Sequence, residues 1–157
     1  MIVMGIDPGS HRLGFAFIKK NTTLRSRPEI LEYGTIEVPA KTKSPDNLKI
    51  IYSELERLIL VHKPERACVE NLFFSKNKKT AQMVYEARGV ILLILGQHSI
   101  PIYELTANQI KKGVSASGSA DKKAIRRSIQ LLLGLDAKGH DDSWDAIACA
   151  FVGSGMI

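Results

Sequence analysis

The chain opens on an apolar, β-branched run, Met1-Ile2-Val3-Met4-Gly5-Ile6-Asp7, which breaks at Pro8-Gly9-Ser10 and resumes as a strand-like run over 13–19. Pro and Gly halt a strand and turn the backbone, so the two runs predict an antiparallel hairpin. A third strand-like run, over 30–38, ends at Pro39 and completes an opening meander. The pattern then changes period. Asp46 stands where an N-cap belongs, and Leu48, Ile51, Leu55, Leu58 and Ile59 recur at helical spacing as far as His62, before Pro64. A short buried strand over 66–70 precedes a polar loop over 71–79. Residues 80–97 predict a long helix, apolar on more than one side through Leu92, Leu93 and Leu95.

Further on, residues 101–105 read as a fifth strand, and Thr106 as the cap of a short helix to Lys112. A small-residue loop follows over 113–119. Ser119 or Asp121 then caps a helix with Ile125, Ile129, Leu132 and Leu133 inside and Lys122, Lys123, Arg126 and Arg127 outside. A last helix is expected over 141–152. Strands first in hairpins and then alternating with helices predict an α/β fold, a mixed five-stranded sheet with helices on both faces.

At 157 residues the chain is expected to form a single domain over 1–157, large enough to bury a core without disulfides. Cys68 and Cys149 each sit inside an apolar segment, as buried thiols do. No apolar run reaches membrane-spanning length and no signal-like segment opens the sequence, so a cytoplasmic location without membrane association is expected. A net charge of +6 favours a polyanionic partner, because lysine and arginine displace counterions from nucleic acid.

Four acids stand out by position. Asp7 ends the first strand and Glu70 ends the fourth, where a side chain is presented at a sheet edge. Asp142 and Asp145 are spaced i, i+3 on the last helix, but Asp141 and Asp145 at i, i+4 share a face almost equally well. Spacing leaves that choice open. Each acid also has a plain explanation: Asp-Pro-Gly is an ordinary turn, and acids at a helix start favour the macrodipole. Together they carry more weight, since like charges gathered at one place call for a cation. Hard oxygen donors suit Mg²⁺ or Mn²⁺, and two such ions can drive phosphodiester hydrolysis.

Five blocks then resemble, in order and interval, those of the RuvC family of Holliday junction resolvases. They are Gly5-Ile6-Asp7-Pro8-Gly9-Ser10, Val69-Glu70-Asn71-Leu72-Phe73-Phe74-Ser75-Lys76-Asn77, Glu86-Ala87-Arg88-Gly89-Val90, Gly118-Ser119-Ala120-Asp121-Lys122 and Asp142-Ser143-Trp144-Asp145-Ala146-Ile147-Ala148. The resemblance implies a ribonuclease-H-like fold and a homodimer that nicks two like-polarity strands of four-way junction DNA, leaving 5′-phosphate and 3′-hydroxyl ends. It implies Asp7, Glu70, Asp142 and Asp145 as the catalytic, metal-binding set, taking Asp142 over Asp141, with two Mg²⁺ per site and Mn²⁺ as the alternative. DNA contacts are implied for Phe73, Lys76, Lys111 and Lys122, with Lys123 and Arg126 beside them on the basic helix face. A branch-migration helicase complex is a further candidate partner.

This chain departs from many members of that family by placing Ser143 and the bulky Trp144 between its last two acids, with Asp141 just before them; Trp144 is expected to point into the core. A nuclease for another branched or hybrid nucleic acid is the nearest alternative, because fold does not fix function. An actin-like ATPase would need a second lobe and a second phosphate-binding turn, for which this length has no room.

Overall fold

The computed structural model describes residues 1–9, 11–21, 27–71, 78–115, 118–135 and 141–155. Phe73 and Lys76, expected on the DNA, lie outside the described residues. Five strands, β1 (Ile2–Asp7), β2 (Arg12–Lys19), β3 (Glu29–Glu37), β4 (Arg66–Glu70) and β5 (Ile102–Leu105), form one sheet in the order β3-β2-β1-β4-β5. The opening meander is antiparallel, whereas β1–β4 and β4–β5 pair in parallel. The expected α/β architecture with a mixed sheet is therefore present.

Helices α1 (Asp46–His62) and α2 (Lys78–Gln97) cover one face. Met4, Ile6, Phe15, Phe17, Ala67 and Val69 meet Ile51, Leu55, Leu58, Ala87, Ile91 and Ile94 there. Helices α3 (Ala107–Ser115), α4 (Lys122–Leu133) and α5 (Asp141–Gly155) cover the other, where Val3, Ala16, Ile18 and Cys68 meet Ile110, Ile125, Ile129, Ile147 and Ala150. Strand residues alternate between faces, so Asp7 shares the α5 side with Val3 and Gly5, and Glu70 shares it with Cys68. In the β1–β4 register Gly5 lies opposite Cys68 and Ile6 opposite Val69. The next step along that ladder sets Asp7 beside Glu70.

Helix α5 lies directly on the backbone of β1 and β2. A Cβ at Gly5 would stand 2.2 Å from the Ala146 carbonyl oxygen, and one at Gly14 would stand 2.0 Å from that of Asp142. Only glycine admits this approach. Ser143, buried, hydrogen-bonds Thr35 of β3 at 3.0 Å, tying the first turn of α5 to the sheet.

Some helix ends differ from expectation. Pro45, not Asp46, occupies the α1 N-cap: its carbonyl accepts from the Leu48 and Lys49 amides, both at 3.1 Å, while Asp46 sits in the first turn and pairs with Lys49 at 3.0 Å. Thr106 caps α3 as expected, accepting from the Gln109 amide at 3.2 Å, but the helix continues through Gly113 to Ser115. Asp121 rather than Ser119 caps α4, accepting from Ala124 at 2.7 Å. Leu132 was expected inside α4 and is exposed, because the helix buries a stripe centred on Ile125 and Ile129 as it ends at Gly134.

Candidate active site

Asp7 and Glu70 leave adjacent parallel strands toward α5, whose first turns carry Asp142 and Asp145. A cleft of about 320 Å³ is lined by Asp7, Glu70, Lys111, Lys122 and Asp145, with Ala107, Ile110, Ile125 and Ala148 as its apolar walls. Three of the four expected acids and two of the expected lysines thus face one space. Asp142 does not line that cleft, yet its charge acts on both Asp7 and Asp145. Lys123 is exposed on α4 and lies outside the lining, as does Arg126.

The electrostatics are those of crowded carboxylates. Burial, then Glu70, Asp145 and Asp142, push the Asp7 carboxyl from 3.8 to about 8, against the opposing pull of Lys122. Burial and Asp145 likewise raise Glu70 from 4.5 to about 7, opposed by Lys122 and Lys111. Asp145 is raised chiefly by burial, with Lys122 pulling the other way. Lys122 donates from Nζ to Asp145 Oδ2 at 3.4 Å and approaches Asp141 Oδ2 at 3.9 Å; Asp145 raises its own pKa most.

Among the described residues, no group of three His, Cys, Asp or Glu side chains is already arranged to hold a metal ion. The acids share a site without closing to ligand distance, as like charges do when lysines are their counter-charges. The donor set nonetheless fits a hard divalent cation. All its donors are carboxylate oxygens, and a cation would offset the burial and the mutual repulsion that hold Asp7 and Glu70 partly protonated near neutrality.

Both spacings on α5 are used, each toward different partners. Asp142 and Asp145, at i, i+3, act on Asp7. Asp141 and Asp145, at i, i+4, face α4, where Lys122 and Arg126 are themselves i, i+4. Arg126 donates to Asp141 Oδ1 at 2.7 Å, and its guanidinium lies 5.1 Å from the Trp144 ring centroid. Trp144 is buried, as expected. The paired i, i+4 spacings of opposite charge were visible in the sequence, but nothing there showed that the two helices meet.

The chain is similar to several known proteins. A protein from Petrotoga mobilis described as crossover junction endodeoxyribonuclease RuvC is 42% identical over 152 residues, 96% of this chain and 91% of that protein. One of the same description from Halothermothrix orenii is 40% identical over 149 residues, covering 94% and 88%. Thermus thermophilus RuvC, solved in complex with a Holliday junction substrate, superposes with a TM-score of 0.91 at 24% identity, covering 98% of this chain and 93% of that one. That likeness establishes the fold. The family model for crossover junction endodeoxyribonuclease RuvC matches residues 3–153, and with these relatives it places the chain in the RuvC family of crossover junction endodeoxyribonucleases.

Proposed function

We propose that this chain, acting as one nuclease domain, resolves four-way DNA junctions by paired, symmetric, metal-dependent phosphodiester hydrolysis in recombination and repair. The observation that carries the reading is the single cleft in which Asp7, Glu70 and Asp145 meet Lys111 and Lys122. Asp7, Glu70, Asp142 and Asp145 would hold the metal, two Mg²⁺ with Mn²⁺ as a substitute, and bound ions supply a nucleophilic water at neutral pH and charge stabilisation for the leaving 3′ oxygen.

The chain's own groups do the rest. Asp7 and Glu70, with pKa values of about 8 and 7, give up their protons as a cation is taken up. Lys122 can transfer its Nζ donation from Asp145 to a phosphate oxygen, and Lys111 neutralises the same phosphate from the α3 side. Lys123, exposed beyond them, extends the basic track along the backbone.

One copy offers one such cleft, whereas ligatable products need two nicks about the junction centre, so the working unit is a two-fold dimer. Helix α2 supports this, with Tyr85 and Leu93 exposed and Gly89 and Gly96 placed where an added Cβ would meet none of the described residues. No helix among the described residues is long and apolar enough to cross a membrane. Cytoplasmic DNA is the proposed place of action, where a branch-migration helicase can supply the junction.

The deciding experiment incubates the protein and Mg²⁺ with a synthetic mobile four-way junction and maps both ends of every strand. Nicks at symmetric positions in two like-polarity strands, sealable by ligase, are expected. Equal cleavage of linear duplex or of an RNA–DNA hybrid would overturn the substrate assignment.

A further inference from the structure

The basic face of α4 divides in two. Lys122 looks into the cleft, whereas one turn later Arg126 is held away from it by Asp141 and Trp144, both on α5. We infer that Arg126 is a positioning residue: with Asp141 and Trp144 it clamps α4 to the first turns of α5, fixing the metal-binding carboxylates Asp142 and Asp145 against Lys122. This rests on the metal-site reading above.

Three observations converge on the clamp. The guanidinium donates to Asp141 Oδ1 at 2.7 Å, a charge-assisted bond whose planar donor also suits the aromatic face 5.1 Å away. Its two contacts lie on either side of Asp142 in the sequence, so the backbone that carries this acid is gripped from both flanks. Asp141 also stands 3.9 Å from Lys122, so the same acid restrains the lysine that Asp145 holds at 3.4 Å. Ser143 and Gly14 fix α5 from the sheet side. Arg126 fixes it from the α4 side.

The clamp predicts effects opposite in sign to those of charge alone. If Arg126 acted only by its charge, Arg126→Ala would strengthen cation binding by removing a nearby positive group. As a positioning residue its loss weakens binding, by about tenfold, the scale seen when supports of metal ligands are removed. A phosphate contact would instead lower the salt slope of junction binding by about one.

The test uses the full chain and two readouts, neither of which is cleavage. Trp144 is the sole tryptophan, so its emission without metal or DNA reports the clamp directly. Arg126→Ala should shift it to the red and raise quenching by acrylamide. Asp141→Asn, which leaves Trp144 itself untouched, should shift it the same way, because Asp141 holds the guanidinium over the ring. Calorimetric titration with Mn²⁺ alone should then show weaker binding in Arg126→Ala, an intermediate value in Arg126→Lys, and a double Arg126→Ala, Asp141→Asn variant no weaker than Arg126→Ala. Absence of Mn²⁺ binding in the unsubstituted protein would count against the metal site, while the emission data would still decide the clamp. Unaltered Trp144 emission in Asp141→Asn, or tighter Mn²⁺ binding by Arg126→Ala, would overturn the inference.

Discussion

Lys122 spans from α4 to Asp145 on α5, Nζ to Oδ2 at 3.4 Å, and so holds in place a carboxylate that burial disfavours as a charge. On the proposed metal site that pairing would make the cleft an exchange site, since a cation at Asp145 would free a lysine for a phosphate.

Replacing Lys122 with alanine would therefore remove a counter-charge and the proposed phosphate contact together. Junction binding is expected to weaken severalfold and its salt slope to fall by about one, while cleavage falls by roughly a hundredfold or more. Binding isotherms at several salt concentrations, with single-turnover cleavage, measure both. Loss of binding and cleavage in equal proportion would reduce Lys122 to a docking residue.

For Asp7→Asn, junction binding should survive and cleavage should fall by roughly a thousandfold or more, because the proposed metal site loses a ligand while the basic surface is kept. The same change should stabilise the metal-free protein, since it removes a buried carboxyl crowded by Glu70 and Asp145. A rise of about 3–6 °C in the metal-free Tm near pH 8 is expected from relieving about 1–2 kcal/mol. A lower Tm would mean that Asp7 contributes more to packing than to charge crowding.

The pH dependence follows from the same groups. Asp7 and Glu70 titrate in the folded protein at about 8 and about 7, above their ordinary 3.8 and 4.5, so between those limits the folded state binds more protons than the unfolded. Their contribution to stability is complete below the ordinary values and is lost as pH rises through about 7 and about 8. In EDTA, urea midpoints should fall from about pH 6 to about pH 8.5, and saturating Mg²⁺ should flatten the decline. A midpoint that stays level in EDTA would contradict the burial and crowding of these acids.

How much of this was open to the sequence differs from residue to residue. Asp7 and Glu70 were placed at strand ends by their apolar runs, and two-residue alternation fixes their common face once the strands pair. The pairing is non-local, and so is the meeting of α5 with β1 and β2, which only the small residues at Gly5, Gly14 and Ala146 hint at. Leu132 was misplaced because Ile125 and Ile129 set a helical phase that continues to Leu132, whereas the helix has already reached the edge of its cover. Asp141 was ambiguous because the spacing i, i+4 was real but served another partner. Two-sided use of one helix turn cannot be separated by period alone.

That close approach makes Gly14 a sensitive position. Gly14→Ala drives a methyl to 2.0 Å from the Asp142 carbonyl oxygen, which is backbone and cannot swing aside, so α5 must lift from β2. A loss of about 2–4 kcal/mol in stability is expected, with cleavage impaired even where the fold persists at low temperature, because Asp142 moves with the helix. Denaturant melts with junction cleavage at a temperature where the variant is folded would show it. Full cleavage by a strongly destabilised variant would mean that the site tolerates a displaced α5.

The dimer prediction rests on α2. Ala87, Ile91, Ile94 and Leu95 are fully buried against the sheet side, whereas Leu93 is 57% exposed and Tyr85 40%, on a helix where a Cβ added at Gly89 or Gly96 would meet none of the described residues. A helix that only covers its own sheet keeps a polar outer stripe, so these apolar and small residues mark a face suited to close packing against a second copy. Leu93→Asp leaves the monomer core intact and puts a charge at the centre of that face. It should give a folded monomer by light scattering that binds a junction more weakly and nicks a supercoiled cruciform on one strand at a time, releasing nicked circles before linear product. Because each subunit keeps its own Asp7, Glu70 and Asp145, a single-nick product separates loss of pairing from loss of chemistry. A Leu93→Asp protein that remains dimeric and yields linear product directly would move the interface off α2.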